Sequence, residues 1–397
     1  MRCMRVVGVL VGTMVAAGIL AAPAVAAPPT GPPNWSGLDV RYYSGPIPVR
    51  DGTLIADRTL AAGLGVPNAA VSRRILYSTP DQFGKRAVST AEVFLPAGQA
   101  PRGGWPVIGW AHGTVGLGDG CTPSAQPATD RDAAYLSHFL RLGYAVVGTD
   151  YVGQGTPGLM SYLNGKVEAH SIVDSVKASQ QMGLPLSRRW GIVGQSQGAG
   201  AAMNGARYAT EFSRGSGLDY RGVVATGTPA NIELIVNLAG PSFPPVPLTK
   251  SLNTYALYIF AGLRDAHPEL KLNDILTAQG RDLVTKAETL CYAELSTFAD
   301  GVNLGRLFTR PLSSVPGATT ALRNQIMTPF TGYDRPIFLG QGLLDRDVPA
   351  PSALSLYAQL RANNQPVELH VYPNQDHAGT VLASVADSTP FLNRIFR

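Results

Sequence analysis

Trp190-Gly191-Ile192-Val193-Gly194-Gln195-Ser196-Gln197-Gly198-Ala199-Gly200 is the stretch on which the reading of this chain turns. Trp190–Gly194 is a short apolar run that reads as a strand. It enters Gly-x-Ser-x-Gly and then a helix opening with Ala199, Gly200, Ala201 and Ala202. A serine hydroxyl is a weak nucleophile unless it is exposed, rigidly held and set beside a base. A sharp strand-to-helix turn supplies the first two conditions and strains the backbone at the serine. Side chains at 194 and 198 would collide as the chain folds back, which is why glycine stands at both. In a chain with 44 glycines the pentapeptide alone is a weak signal. The strand before it and the small-residue helix after it make it informative, and it occurs once.

Outward from this point the chain alternates. Apolar strands are predicted at Trp105–Ala111, Tyr144–Asp150, Trp190–Gly194, Arg221–Thr226, Pro336–Gly340 and Val367–Tyr372. Helices are predicted at Asp130–Leu142, Lys166–Met182, Ala199–Phe212 and Pro351–Arg361. Such alternation implies an α/β fold, a mostly parallel sheet covered by helices on both faces. Arg73–Thr79 and Ala87–Leu95 read as paired opening strands. The pattern fails between about 229 and 330, where a Pro-rich opening at Gly240–Pro247 precedes helical stretches around Leu270–Leu290 and Ala293–Leu307. Both ends return to the same sheet, so this segment reads as an inserted helical cap. The expected organisation is a leader over 1–26, an extended arm over 27–60, core over 61–228, cap over 229–330 and core again over 331–397.

The leader has the features of a signal peptide: Arg2 and Arg5, an apolar run from Val6 to Leu20, and a small-residue cleavage site at Ala24-Val25-Ala26. A retained anchor helix is the alternative. No later run approaches the roughly 18 apolar residues of a membrane span. Cleavage removes Cys3 and leaves Cys121 and Cys291, in an oxidising compartment, as one disulfide or as two buried thiols. A disulfide would close a loop of about 170 residues, for which chain entropy gives on the order of 5 kcal/mol. No close-spaced His/Cys or His/Glu set is present, so neither a zinc site nor any cofactor is expected. Removing Arg2 and Arg5 lowers the formal net charge from +5 to about +3, too small and scattered for a nucleic-acid surface.

An activated serine needs a base, and the base an orienting acid. Of six histidines, His138 and His170 lie in predicted helices, His267 precedes a proline and His370 sits within a strand pattern. His112 shapes a turn. His377 lies just past the last strand, where such sheets present functional groups, and is the candidate base. The loop after the preceding strand offers Asp345 and Asp347; Asp345 is the candidate acid, and Asp347 reads as a cap for the helix near Pro351. The candidate oxyanion donors are the N–H groups of Gln197 and Thr114, the latter from Trp110-Ala-His-Gly-Thr114.

With these residues assembled, the chain resembles the secretory lipase family, α/β-hydrolases that include fungal lipase A, over about residues 70–390. The likeness is carried by Ala-His-Gly-Thr (111–114), Gly-x-Gly-Cys-Thr-Pro-Ser (118–124), Thr-Asp-Tyr-Val-Gly-Gln-Gly (149–155), Gly-Gln-Ser-Gln-Gly-Ala (194–199) and the loops of Asp345 and His377. The resemblance implies hydrolysis of acylglycerols or related carboxylic esters by Ser196, Asp345 and His377. It also implies a cap over an acyl-binding tunnel, and a disulfide tying the oxyanion loop to that cap, matching Cys121 and Cys291. Fungal members carry an acidic residue where Thr114 stands, Gly where Gln197 stands, and a small disulfide near the histidine that is missing here. The expected partner is a lipid or other ester, met at a lipid–water interface or in solution. The alternatives are acyl transfer to lipid or cell-envelope acceptors, and a non-enzymatic lipid-binding or adhesion module on a hydrolase scaffold.

Overall fold

The computed structural model describes residues 31–245 and 248–397. The expected leader and cleavage site, and the first residues of the expected arm, lie outside the described residues. The strands are β1 (Leu54–Thr59), β2 (Ala69–Pro80), β3 (Arg86–Pro96), β4 (Trp105–Ala111), β5 (Ala145–Thr149), β6 (Leu186–Gln195), β7 (Asp219–Thr226), β8 (Ile337–Gly342) and β9 (Val367–Tyr372). The helices are α1 (Asp130–Arg141), α2 (Gly165–Ser179), α3 (Gln197–Phe212), α4 (Ile232–Val236), α5 (Lys250–Ala266), α6 (Ala278–Ala287), α7 (Tyr292–Ala299), α8 (Ala318–Ile326), α9 (Pro351–Ala362), α10 (His377–Ala383) and α11 (Val385–Ile395).

All nine strands join one sheet in the order β1-β2-β3-β5-β4-β6-β7-β8-β9. Pairing is antiparallel from β1 to β5 and parallel from there to β9. Leu54–Thr59, near the end of the arm, therefore form an edge strand, which the arm's Pro- and Gly-rich composition had not suggested.

Side-chain alternation divides the core between the two faces of the sheet. Val107, Ile192, Val223 and Leu339 pack with Ile172 and Val176 of α2 and Leu356 of α9. Their neighbours Ile108, Val193, Val224 and Phe338 pack on the other face with Phe139 of α1 and Phe391 of α11. A strand buried on both faces reads as a continuous apolar run, as the central strands do here. Ala199, Ala201 and Ala202 are wholly buried, so α3 lies close on β6 and β7.

Five helices, α4 to α8, intervene between β7 and β8. The longest, α5, was not read from the sequence. Its middle run Leu257–Leu263 is buried on every side, so no polar face marks the helical period over those residues. The helical stretches expected after it are shorter than read. Residues 268–275 form 3₁₀ turns around Lys271, whose φ is +48°. Beyond them α7 stops at Ala299, before Gly301 with its φ of +68°.

Candidate active site

Ser196 sits between β6 and α3 with φ +59° and ψ −125°, a conformation unfavourable for any residue with a Cβ. The surroundings enforce it. Its N–H donates to Thr226 O of the neighbouring strand at 3.0 Å, and its carbonyl accepts from Ala199 and Gly200. A Cβ on Gly194 would lie 2.0 Å from Gly198 O, and one on Gly198 would lie 1.9 Å from Ala111 O. Glycine is obligatory at both positions: at Gly194 through the expected collision of the chain folding back, at Gly198 through the end of β4 instead.

Two loops meet this turn. Asp345 follows β8, and His377 opens α10. The His377 Nδ1–H donates to Asp345 Oδ2 at 2.7 Å, with the Asp345 side chain wholly buried. The other carboxylate oxygen accepts from the N–H groups of Asp347 and Val348 at 2.9 and 2.8 Å. This seats Asp345 rigidly. Asp347 does not cap the following helix: the N-cap residue of α9 is Ala350, without a side-chain bond, and the Asp347 amide instead serves Asp345. Asp376 caps α10 through Gly379 N.

With Nδ1 protonated, His377 Nε2 is an acceptor, and the amide of Gln195 donates to it at 2.9 Å. Ser196 Oγ makes no hydrogen bond among the described residues, and Ser196 is 6% exposed. Ser196 and the imidazole lie on one rim: a Cβ on Gly227, one residue past the acceptor of the Ser196 N–H, would sit 2.9 Å from His377 Cε1.

The loop after β4 closes the other side. A Cβ on Gly113 would fall 3.6 Å from Ser196 Cβ. Among the described residues, the backbone N–H groups of Thr114 and Gln197 donate to no protein acceptor, the state required of groups awaiting an oxyanion. Thr114 Oγ1 is bonded to Tyr162 OH at 2.6 Å. His112 is buried, with Nδ1 2.7 Å from Gly113 O and its ring 4.5 Å from that of Tyr151. Burial holds its pKa below the ordinary value, so it stays neutral, consistent with shaping the turn.

The motifs that carry the resemblance hold this loop in place. Asp150 accepts from Ser124 N at 2.8 Å, from Thr90 Oγ1 at 2.6 Å and from Ser124 Oγ; Arg74 Nε donates to Ser124 Oγ at 2.8 Å. Gln154 Nε2 donates to Gly116 O at 2.8 Å and Tyr151 OH to His112 O at 3.2 Å. The disulfide Cys121–Cys291 joins the same segment to the start of α7.

Two residues escaped the sequence reading. Gln195 was visible only as a variable position of the pentapeptide. Glu168, on α2, accepts from the Gln197 side chain at 2.8 Å, and its second carboxylate oxygen is buried without a partner. Burial pushes its carboxyl up to about 8, so it is predominantly protonated at neutral pH. Nothing local marks it, since its partner comes from another helix.

Residues 123–302 match the secretory lipase family. That span includes Ser196 and most of the helical insertion, and the family is the one the sequence motifs resemble. A second family model, the prolyl oligopeptidase family, matches residues 320–396, which carry Asp345 and His377. No curated protein matches the chain. Among solved structures, Candida antarctica lipase A superposes with a TM-score of 0.71 at 20% identity, covering 87% of this chain and 82% of that one. The rice cell wall degrading esterase LipA from Xanthomonas oryzae superposes with a TM-score of 0.70 at 19% identity, covering 88% of this chain and 100% of that one. The architecture is the α/β-hydrolase fold.

Proposed function

We propose that the chain is a secreted serine lipase or carboxylesterase that hydrolyses acylglycerols or related lipid esters through an acyl-enzyme. Ser196 attacks the ester carbonyl while His377 Nε2 takes its proton, and Asp345 holds the imidazole with its proton on Nδ1. The amides of Gln197 and Thr114 receive the oxyanion; one such donor is worth about 3 kcal/mol of transition-state stabilisation. His377 then protonates the leaving alcohol, and water, activated by the same imidazole, releases the acid. The Gln195 amide must leave Nε2 when the serine proton arrives. The observation that carries this reading is the strained Ser196 on the same rim as the buried Asp345–His377 pair.

An apolar substrate is favoured by exposed apolar side chains on the expected cap and next to the acid. Leu234, Ile235 and Leu238, on and just after α4, are more than half exposed, and so is Leu344 beside Asp345. Helices α4 to α8 serve as the cap. No helix among the described residues is long and apolar enough to cross a membrane. Secretion with cleavage after Ala26 fits the leader and the disulfide.

Ser196→Ala tests the assignment. It should abolish turnover of p-nitrophenyl esters and labelling by a fluorophosphonate while leaving the thermal transition within a few degrees of wild type. Retained turnover removes Ser196 as nucleophile. Release of free acid, rather than acyl product, in the presence of competing alcohols separates hydrolysis from acyl transfer.

A further inference from the structure

On the face of α2 turned away from Gln197, three metal-ligating side chains converge outside the site described above. His170 and Asp174 are one helical turn apart on α2, and Asp51 comes from the turn before β1. One ligand atom from each lies within 4.8 Å of the others. We propose that Asp51, His170 and Asp174 bind a divalent cation of the zinc class and fasten the N-terminal arm to α2.

The donor set fits such an ion. His170 Nδ1 lies 3.7 Å from Asp174 Oδ2, too far for a direct hydrogen bond. Ligands about 2.0–2.2 Å from a tetrahedral zinc ion lie roughly 3.4 Å apart, close to the His170–Asp174 separation, with Asp51 drawn in from within 4.8 Å. Nδ1 is sealed from solvent with no hydrogen-bond partner. The ring is held by stacking on Phe212, 3.7 Å between centroids and 14° between planes. An imidazole fixed with an unsatisfied nitrogen facing a wholly buried carboxylate needs a proton or a cation between them.

The charges are also unbalanced. Lys177 Nζ bonds Asp174 Oδ1 at 2.7 Å, and Thr79 Oγ1 donates to Oδ2 at 3.0 Å, leaving a lone pair on Oδ2 toward His170. One ammonium thus faces two carboxylates. Asp51 has no side-chain hydrogen bond among the described residues, and its carboxylate lies within 4.8 Å of the His170 and Asp174 ligand atoms. Imidazole with two carboxylates suits zinc better than calcium. A search of the sequence for His/Cys and His/Glu sets passes over this group. The His-x₃-Asp pair is unremarkable by itself, and the third ligand lies more than a hundred residues upstream.

The test uses the whole mature protein, stripped with a chelator, exchanged into chelator-free buffer and titrated calorimetrically with zinc chloride while thermal unfolding is followed in parallel. The expected result is one equivalent bound, a raised melting temperature, and affinity at least about tenfold weaker in both Asp51→Asn and His170→Gln. Asp174 is left intact because its carboxylate also holds Thr79 and Lys177. Absence of stoichiometric binding in the wild type overturns the proposal. So does wild-type affinity in either variant, which would place the ion at another histidine such as His370 or His377.

Discussion

Asp345→Asn separates orientation of His377 from every other feature of the site, and the structure dictates how the asparagine must sit. Asp345 Oδ1 accepts from two backbone amides, Asp347 at 2.9 Å and Val348 at 2.8 Å, while Oδ2 accepts from His377 Nδ1. Asparagine has one acceptor oxygen. Placing it on the two amides satisfies both buried donors, and the opposite orientation leaves them facing an NH₂ group. Each unsatisfied donor costs about 1–3 kcal/mol, so the oxygen stays with the backbone and the amide nitrogen faces His377. The imidazole must then turn Nδ1 into an acceptor and carry its proton on Nε2, where it cannot accept the proton of Ser196. In serine hydrolases this wrong tautomer lowers kcat about 10⁴-fold, roughly 5.5 kcal/mol of transition-state stabilisation. The loss of stability should be smaller, about 1.5–3 kcal/mol for one hydrogen bond to a charged group. The assay is kcat/KM for a short-chain p-nitrophenyl ester, with near-ultraviolet circular dichroism to establish the native fold. A folded variant keeping more than a tenth of wild-type kcat/KM would refute the argument that Asp345 sets the tautomer.

Two further outcomes follow from residues around the site. Glu168, with an ordinary value of 4.5, is raised by burial to about 8 in the folded protein. The folded state therefore binds more protons than the unfolded chain between those values, and its contribution to stability falls as pH rises from about 4.5 to about 8. Glu168→Gln keeps a carbonyl for Gln197 and removes the ionisation, so chemical denaturation across that window should show a shallower decline than wild type; an identical slope would contradict the assignment. Replacing Cys121 and Cys291 together by serine opens a closed loop with a sequence separation of 170. Chain entropy sets the loss at up to about 5 kcal/mol. Calorimetry should show a lower transition that reductant no longer shifts, whereas reductant should lower that of the wild type.

Local sterics made the Ser196 turn legible. Gly194, Ser196, Gly198 and the small residues after them meet their constraints within a few positions and against adjacent strands. The alternation of apolar strands and amphipathic helices was legible for the same reason, since period 2 and period 3.6 are properties of contiguous residues. It failed at α5, whose middle run Leu257–Leu263 is buried on every side and shows no polar face, and at β1, whose pairing with β2 could not be seen in an arm rich in proline and glycine. The choice of Asp345 over Asp347 was available from loop position, but the reason for it was not. Asp347 lends its amide to its neighbour instead of capping α9.

Read without coordinates, the chain already specified a mostly parallel sheet flanked by helices, an insertion before the eighth strand, and the loops that bring a serine, an acid and a histidine to the sheet's carboxyl ends. What remained undecided were partners far apart in sequence: Gln195 on the imidazole, Glu168 beneath Gln197, the Asp150 network under the oxyanion loop, and Asp51 against His170 and Asp174. Hydrogen bonds and ligand sets of this kind depend on strand order and helix placement, which are set by the packing of the entire core. A short stretch of sequence encodes its own backbone geometry but not the identity of the side chain that packing brings against it.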